Sequence, residues 1–350
     1  MLTIFVDPDH DKVRLLGRLT LNKNKEPKKL DTPNCILYTS KGSVPHLTPD
    51  TLRLLPFDAV KITLEHFLHV RPPPSIEFSD GIHKFLNLEE YLVLFDIRDS
   101  FNLEEASLNT DNSISVNTNQ GVKKLTQEEY VKYMNAYKPD IFISMSDDIA
   151  IPNPSLKRIK KSEGINIFGV LGGYNNLEER VRFIKEINNF NVDGFVINDF
   201  INSKNNTNDN GEDKPSKKWI DLIKESFRHL PINKPRLAYG FESPEEILLG
   251  IYKGIDLFDT CYPTKLTNSG HALTFTFYND DNDQITEEKY YIDLWDVKYR
   301  NDFAPISNSC KCYACQNHTK AYLHHLLITH EMPNIEINDY FEISRDELGN

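Results

Sequence analysis

Short apolar runs alternate with amphipathic runs through the middle of the chain. The runs DIFISMSD (140–147), INIFGVLGG (165–173) and NVDGFVIN (191–198) are rich in β-branched and aromatic residues, which predicts three strands. Between the last two, NLEERVRFIKEIN repeats its apolar positions at helical spacing, which predicts a helix with one buried face. The apolar residues of that face are Leu177, Val181, Ile184 and Ile187.

The same alternation continues toward residue 260. PRLAYG (235–240) and IDLFDT (255–260) predict two further strands. The first follows a predicted helix, and the second follows SPEE (243–246), a capping box with proline at the first helical position, which opens a helix over EEILLGIYKG. The apolar side of the earlier helix consists of Trp219, Leu222, Ile223 and Phe227.

Continuous apolar strands joined by helices indicate a parallel sheet whose faces are covered. An open doubly wound sheet and a closed barrel both satisfy this pattern. No glycine-rich phosphate loop follows the first strand, and several strands end in a carboxylate or an amide, namely Asp147, Asn198 and Asp259. Because barrel enzymes carry their chemistry at these strand ends, we predict an α/β fold of the (β/α)8 TIM-barrel type.

Two polar stretches interrupt the alternation. Residues 107–121 and 202–218 are rich in Asn, Asp, Ser and Lys, so we predict disordered loops inserted between barrel elements. A linker between separate domains is the alternative for them. The basic run LKRIKKSEG (156–164) is interpreted either as a solvated helix face or as a contact to an RNA backbone.

Composition narrows the functional classes. The 350 residues are 39% hydrophobic and carry a formal net charge of −12, which argues against a free-standing nucleic-acid binder. No apolar run reaches the length of a membrane helix, and MLTIFVDPDHDKVRLL lacks a basic leader followed by an apolar stretch, so we do not expect secretion. A core large enough for one or two domains is expected.

Three cysteines are packed into SCKCYACQNH, and two more stand alone. The spacing of Cys310, Cys312 and Cys315 suits three thiolates on one Zn²⁺ ion, and the isolated Cys35 and Cys261 are most simply buried apolar side chains. A redox pair or plain thiols are the alternatives for the cluster. We predict a structural zinc site with these three ligands and an unassigned fourth.

The cysteine segment also carries a resemblance. CKCYACQNHTKAYLHHLLITHE resembles the zinc signature of the tRNA-guanine transglycosylases, and KYRNDFAPI (298–306), GHALTFTF (270–277) and GIDLFDTCYPTK (254–265) resemble the family's late-barrel segments in the same order. TPNCILYTSKGSVPHLTPDTL (32–52) resembles the opening of the family's eukaryotic accessory branch. The likeness spans roughly residues 10 to 332.

The resemblance implies a (β/α)8 barrel with an attached C-terminal zinc-binding subdomain, divided here as 1–307 and 308–350. Catalytic members exchange guanine at the wobble position of GUN-anticodon tRNAs for queuine or its precursor, using one aspartate as nucleophile and another as acid and base. Asp259 occupies the nucleophile's place. Asp96 and Asp99 lie in the second segment, but its Gly-Gly is missing. The polar residue that the family has before the Gly-Gly is missing from GVLGG (169–173), and the glycine-rich base-binding turn is replaced by GFVINDF (194–200). Asp147 and Asp148 keep an acidic pair.

These departures imply an accessory subunit. We therefore expect no catalytic and no cofactor-binding residue, one zinc, a heterodimer with a catalytic subunit, and tRNA bound through that complex. An active transglycosylase using Asp259 and a non-enzymatic scaffold are the alternatives. The resemblance implies a cytoplasmic location, or a peripheral one at the mitochondrial outer membrane. The family's fourth zinc ligand, a histidine, would fall at Phe341, so we expect a divergent or truncated tail or another group in the metal's shell.

Overall fold

The fold was described from a computed structural model. Within strands β1 and β2 and helix α5, introduced below, residues 2–5, 16 and 217–222 are described by their backbone alone. The described residues are 2–5, 16–21, 27–101, 110, 113–118, 120–145, 166–172, 176–197, 217–274, 290–308 and 310–329.

Eight described strands form a closed parallel barrel, which confirms the predicted fold. Each strand pairs in parallel with its two neighbours, and the last pairs with the first, so that Asp259 lies opposite Ile36. The strands are β4 (Asn34–Tyr38), β5 (Ala59–Thr63), β6 (Leu92–Asp96), β9 (Ile141–Ile143), β10 (Asn166–Leu171), β11 (Gly194–Ile197), β12 (Arg236–Ala238) and β13 (Leu257–Asp259).

Helices follow the strands as the periodicity predicts. They are α1 (Pro49–Leu52), α2 (Ile82–Phe85), α3 (Gln127–Tyr137), α4 (Leu177–Ile187), α5 (Lys217–Arg228), α6 (Pro244–Tyr252), α7 (Cys261–Asn268), α8 (Tyr313–Asn317) and α9 (Lys320–Ile328). Helix α4 begins where the Asn176 side chain accepts two backbone N–H groups. Its buried face includes Ile184 and Ile187 as predicted, but Leu177 is 39% exposed. Arg180 and Phe183, which lie outside the predicted face, are buried on the same helix.

A three-stranded antiparallel sheet precedes the barrel and consists of β1 (Leu2–Phe5), β2 (Leu16–Leu21) and β3 (Lys28–Thr32). Leu19, Leu21 and Leu30 belong to the same buried cluster as inward-facing barrel residues such as Ala59 and Leu257. The sheet therefore contributes to the barrel core from the strands' amino-terminal end.

Three aspartates at this end join neighbouring strands. Each precedes a strand and accepts a hydrogen bond from the backbone N–H of an adjacent strand: Asp140 from Val93, Asp193 from Ile167, and Asp256 from Arg236. Because these N–H groups lie beyond the ladder or at its edge, the carboxylates satisfy donors that would otherwise be buried without a partner.

The predicted disorder of residues 107–121 is wrong in part. Within this stretch β7 (Ser113–Thr118) forms an antiparallel hairpin with β8 (Gly121–Thr126). Ile114 and Val116 alternate with polar neighbours and are buried, so their apolar area offsets the cost of ordering a polar segment. Residues 202–216 and the basic run at 156–164 lie outside the described residues.

The chain divides into two compact units. The first contains residues 1–43, 57–241 and 245–259, and holds the barrel. The second contains residues 44–56, 242–244 and 260–350. Its described elements include α7, a short hairpin of β14 (His271–Leu273) and β15 (Tyr291–Asp293), and the helices α8 and α9.

Candidate functional site

Four polar side chains share the inward face at the carboxyl ends of the barrel strands. Side chains alternate along a strand, so residues two positions beyond an inward-facing neighbour also face inward. Ala59, Leu94 and Leu257 belong to the core cluster. Lys61, Asp96 and Asp259 each stand two positions after one of them, in that order. Tyr239, after β12, is itself a member of that cluster. The predicted strand-end position of Asp259 is thereby confirmed.

Asp259 is a buried carboxylate without a hydrogen-bond partner among the described residues. The residue is 2% exposed, and neither carboxylate oxygen is bonded. Its neighbour Cys35 has a pKa raised to about 12, first by burial and then by the charge of Asp259. A carboxylate in this state is available to a ligand or a reacting atom.

Lys61 lies in the lumen beside Asp96 and Tyr239. Its Nζ is 3.4 Å from Asp96 Oδ2 and 4.0 Å from the centroid of the Tyr239 ring. The Lys61 side chain is 1% exposed. A buried ammonium needs such compensation, because moving an unpaired charge out of water is costly.

Asp99 is held by three donors. Its carboxylate accepts hydrogen bonds from the Tyr38 hydroxyl at 3.1 Å, from His66 Nε2 at 3.1 Å and from the Phe101 backbone at 2.9 Å. His66 Nδ1 accepts from the Lys41 N–H, which leaves the imidazole proton on Nε2. Burial alone would raise the pKa of Asp99, but the hydrogen bonds from His66 and Phe101 and the charge of Lys61 lower it.

Two of the residues that donate to Asp99 also stack on each other. The Phe101 ring stacks on the Tyr38 ring with centroids 5.5 Å apart. Glu65 holds the backbone near Asp99, because its carboxylate accepts hydrogen bonds from the N–H groups of Asp99 and Asn117. Burial raises the pKa of Glu65. The Asp99 carboxylate therefore already accepts hydrogen bonds from three groups of the protein itself.

Sequence reasoning found only part of this site. The missed residues are Lys61, Tyr239, Tyr38, His66 and Glu65. The one available signal was Lys61, a lone charged residue within the otherwise uncharged strand AVKIT. The strand-end residues Asp147, Asp148 and Asn198 lie outside the described residues.

The three cysteines of the second unit lie together. The Sγ atoms of Cys310, Cys312 and Cys315 are all within 4.8 Å of one another, and in the described part of the chain no further ligand atom joins them. Backbone N–H groups of Cys312 and Cys315 donate to the preceding cysteine sulfurs at 3.4 Å. Sulfurs bound to one zinc ion at about 2.3 Å lie about 3.8 Å apart, so this group could hold a metal ion after small movements.

The surroundings of the cysteines are apolar. The group packs against Leu294, Tyr299, Ile306 and Leu323. Burial raises the pKa of the Cys312 thiol, so a bound cation would supply the charge that keeps it a thiolate. His324, a nearby histidine, is buried with its Nδ1 bonded to the Leu294 carbonyl at 2.8 Å. His330 and Phe341 lie outside the described residues.

A family model and several curated proteins match most of the chain. The family model described as queuine tRNA-ribosyltransferase matches residues 11–164 and 153–340. A Danio rerio protein named queuine tRNA-ribosyltransferase accessory subunit 2 is 30% identical over 91% of this chain and 86% of its own length. Homo sapiens and Ixodes scapularis proteins of the same name are each 30% identical over 87% of this chain and 83% of theirs. Among the described helices, none is both long and apolar enough to cross a membrane.

Proposed function

The chain belongs to the queuine tRNA-ribosyltransferase family, and on that premise we propose that it is the non-catalytic subunit of a heterodimer. The partner subunit would exchange guanine for queuine at the wobble position of GUN-anticodon tRNAs (Asp, Asn, His and Tyr). This chain would support the partner and help to position the tRNA. The relatives' shared name, accessory subunit 2, supports such a pairing.

One observation carries the proposal. Asp99-Ser100 is followed by Phe101, where the transglycosylase signature has glycine, and Phe101 stacks on Tyr38. Asp99 itself is engaged by the Tyr38 hydroxyl and by His66. Base exchange needs a second carboxylate that can transfer protons to and from a purine held at a fixed position. A carboxylate that already accepts three hydrogen bonds from the protein, two of them from the stacked residues Tyr38 and Phe101, is poorly suited to this work.

Zinc forms the second part of the proposal. Cys310, Cys312 and Cys315 would hold one Zn²⁺ ion, with a fourth ligand that is not assigned. The ion would cross-link the loop before α8 to the apolar cluster around Leu294, and so hold the second unit in shape. Division of the chain into a barrel, 1–307, and a zinc-binding subdomain, 308–350, belongs to the same proposal, as does a cytoplasmic location with peripheral contact at the mitochondrial outer membrane.

An active transglycosylase is the second candidate, and Asp259 favours it. The residue is retained at a strand end, and its oxygens have no hydrogen-bond partner among the described residues. An attacking carboxylate would form a covalent bond to the ribose anomeric carbon as guanine leaves.

A base-exchange assay separates the two functions. Purified chain, the catalytic homologue, and their mixture are each given queuine and tRNA that carries labelled guanine at the wobble position, and released guanine is counted. We expect no release by this chain alone and more release by the mixture than by the homologue alone. Release by this chain alone that disappears in Asp259→Ala would establish the enzyme instead. Absence of both copurification and stimulation would leave only a scaffold.

A further inference from the structure

The side chain of Lys61 crosses the interior of the barrel. Lys61 lies on β5, whereas Tyr239, whose ring it covers at 4.0 Å, follows β12. In the barrel β12 and β5 are separated by β13 and β4, so they stand on different sides of the lumen. A contact between residues on these strands therefore passes through the space enclosed by the strand ends.

The space that Lys61 crosses is the one that a barrel ligand would use. Ligands of this fold bind at the carboxyl ends of the strands, and Asp96 and Asp259 stand there on the inward face. Asp96 Oδ2 lies 3.4 Å from the lysine ammonium, and the centroid of the Tyr239 ring lies 4.0 Å from it. A carboxylate and a ring face together make a site for an alkylammonium ion.

We propose that the barrel carries an alkylammonium-binding site formed by Asp96 and Tyr239, and that the chain's own Lys61 permanently occupies it. The lysine acts as a tethered ligand and takes up lumen volume next to Asp96 and Tyr239, which a purine base in the barrel would need. This inference deepens the proposed accessory function, since it gives a physical reason why the barrel does not accept a base.

Chemical rescue tests the site. In Lys61→Ala the ammonium and its stem are removed, and the carboxylate of Asp96 loses its counter-charge. We expect the midpoint of thermal unfolding to fall by about 4–7 °C, because breaking a buried ion pair is strongly destabilising and the chain is long. Added n-butylammonium should restore at least half of this loss with a saturable dose dependence, while n-butanol should not.

Val60→Ala is the matched control. Val60 is fully buried in the same strand but faces away from the lumen. The fall in unfolding midpoint that Val60→Ala causes should therefore not be reversed by n-butylammonium. Failure of n-butylammonium to stabilise a folded Lys61→Ala protein would overturn the proposal. Equal recovery with n-butanol would overturn it as well, since that result indicates simple filling of an apolar cavity.

A mutant cycle keeps the proposal testable if Lys61→Ala does not fold. Lys61→Met keeps the length of the side chain, and Asp96→Asn keeps the shape of its partner. We expect the fall in unfolding midpoint of the double variant to be smaller, by at least about 2 °C, than the sum of the falls of the two single variants. Additive falls would refute the pairing. Neither experiment measures base exchange, so the accessory role can stand when this inference fails, and the reverse also holds.

Discussion

Removal of the Asp140 carboxylate should lower the free energy of unfolding by about 3–5 kcal/mol. Asp140 is 1% exposed, and its Oδ2 accepts from the Val93 N–H at 2.9 Å, from His83 Nε2 at 2.8 Å and from Lys28 Nζ at 3.2 Å. Asp140→Ala leaves a buried backbone N–H without its acceptor, which alone costs about 1–3 kcal/mol. The remainder comes from the lysine and histidine, which lose their anion in a partly buried site.

Equilibrium unfolding in urea measures this loss. Asp140→Asn keeps one side-chain oxygen for the Val93 N–H, so we expect it to cost less than half as much as Asp140→Ala. Asp80→Asn is the matched control, because the Asp80–Lys84 pair is exposed on both sides and should contribute nothing measurable. A decrease in unfolding free energy below about 1 kcal/mol for Asp140→Ala would refute the reasoning, since removal of a buried acceptor leaves its donors without a partner and should cost more than that.

Three further results are expected. Cys312→Ser should lower the zinc content, measured by atomic absorption, from about one ion per chain and should also lower the thermal stability. Cys261→Ala should leave the zinc content unchanged. A stable wild-type chain without metal would contradict the site. Gly194→Ala should cost about 1–3 kcal/mol in urea unfolding, because a Cβ there would lie 2.7–2.8 Å from the buried Phe168 ring; an unchanged midpoint would show that the ring can move. The stability difference between wild type and Asp99→Asn should be fully present above about pH 5 and shrink as the pH falls through the lowered pKa of Asp99, because folding favours only the ionised carboxylate. A difference that grows in acid would contradict this sign.

The barrel could be predicted because its strands and helices have different periods. Strands such as β10 are almost continuous apolar runs, and the intervening helix α4 repeats its apolar positions at helical spacing. Asp259 could be placed for the same reason, since it is the last residue of such a strand. The three cysteines could be grouped because close spacing along the chain keeps their sulfurs close in space.

The other buried polar residues could not be predicted, because their positions depend on contacts between residues that are far apart in the sequence. Lys61 is buried only because Asp96 and Tyr239 come from other strands, and composition predicts a lysine at the surface. Arg180 is buried on α4 against the same expectation. In the hairpin β7–β8, the alternation of Ile114 and Val116 is a strand signal, but the many polar neighbours outweighed it.

The aspartates that join neighbouring strands fasten the barrel at one end only. Asp140, Asp193 and Asp256 all act where the strands begin. Substitutions at the opposite end of the barrel leave these three hydrogen bonds intact. The residues at that opposite end can therefore change in size and charge while the barrel strands stay joined at the end where they begin.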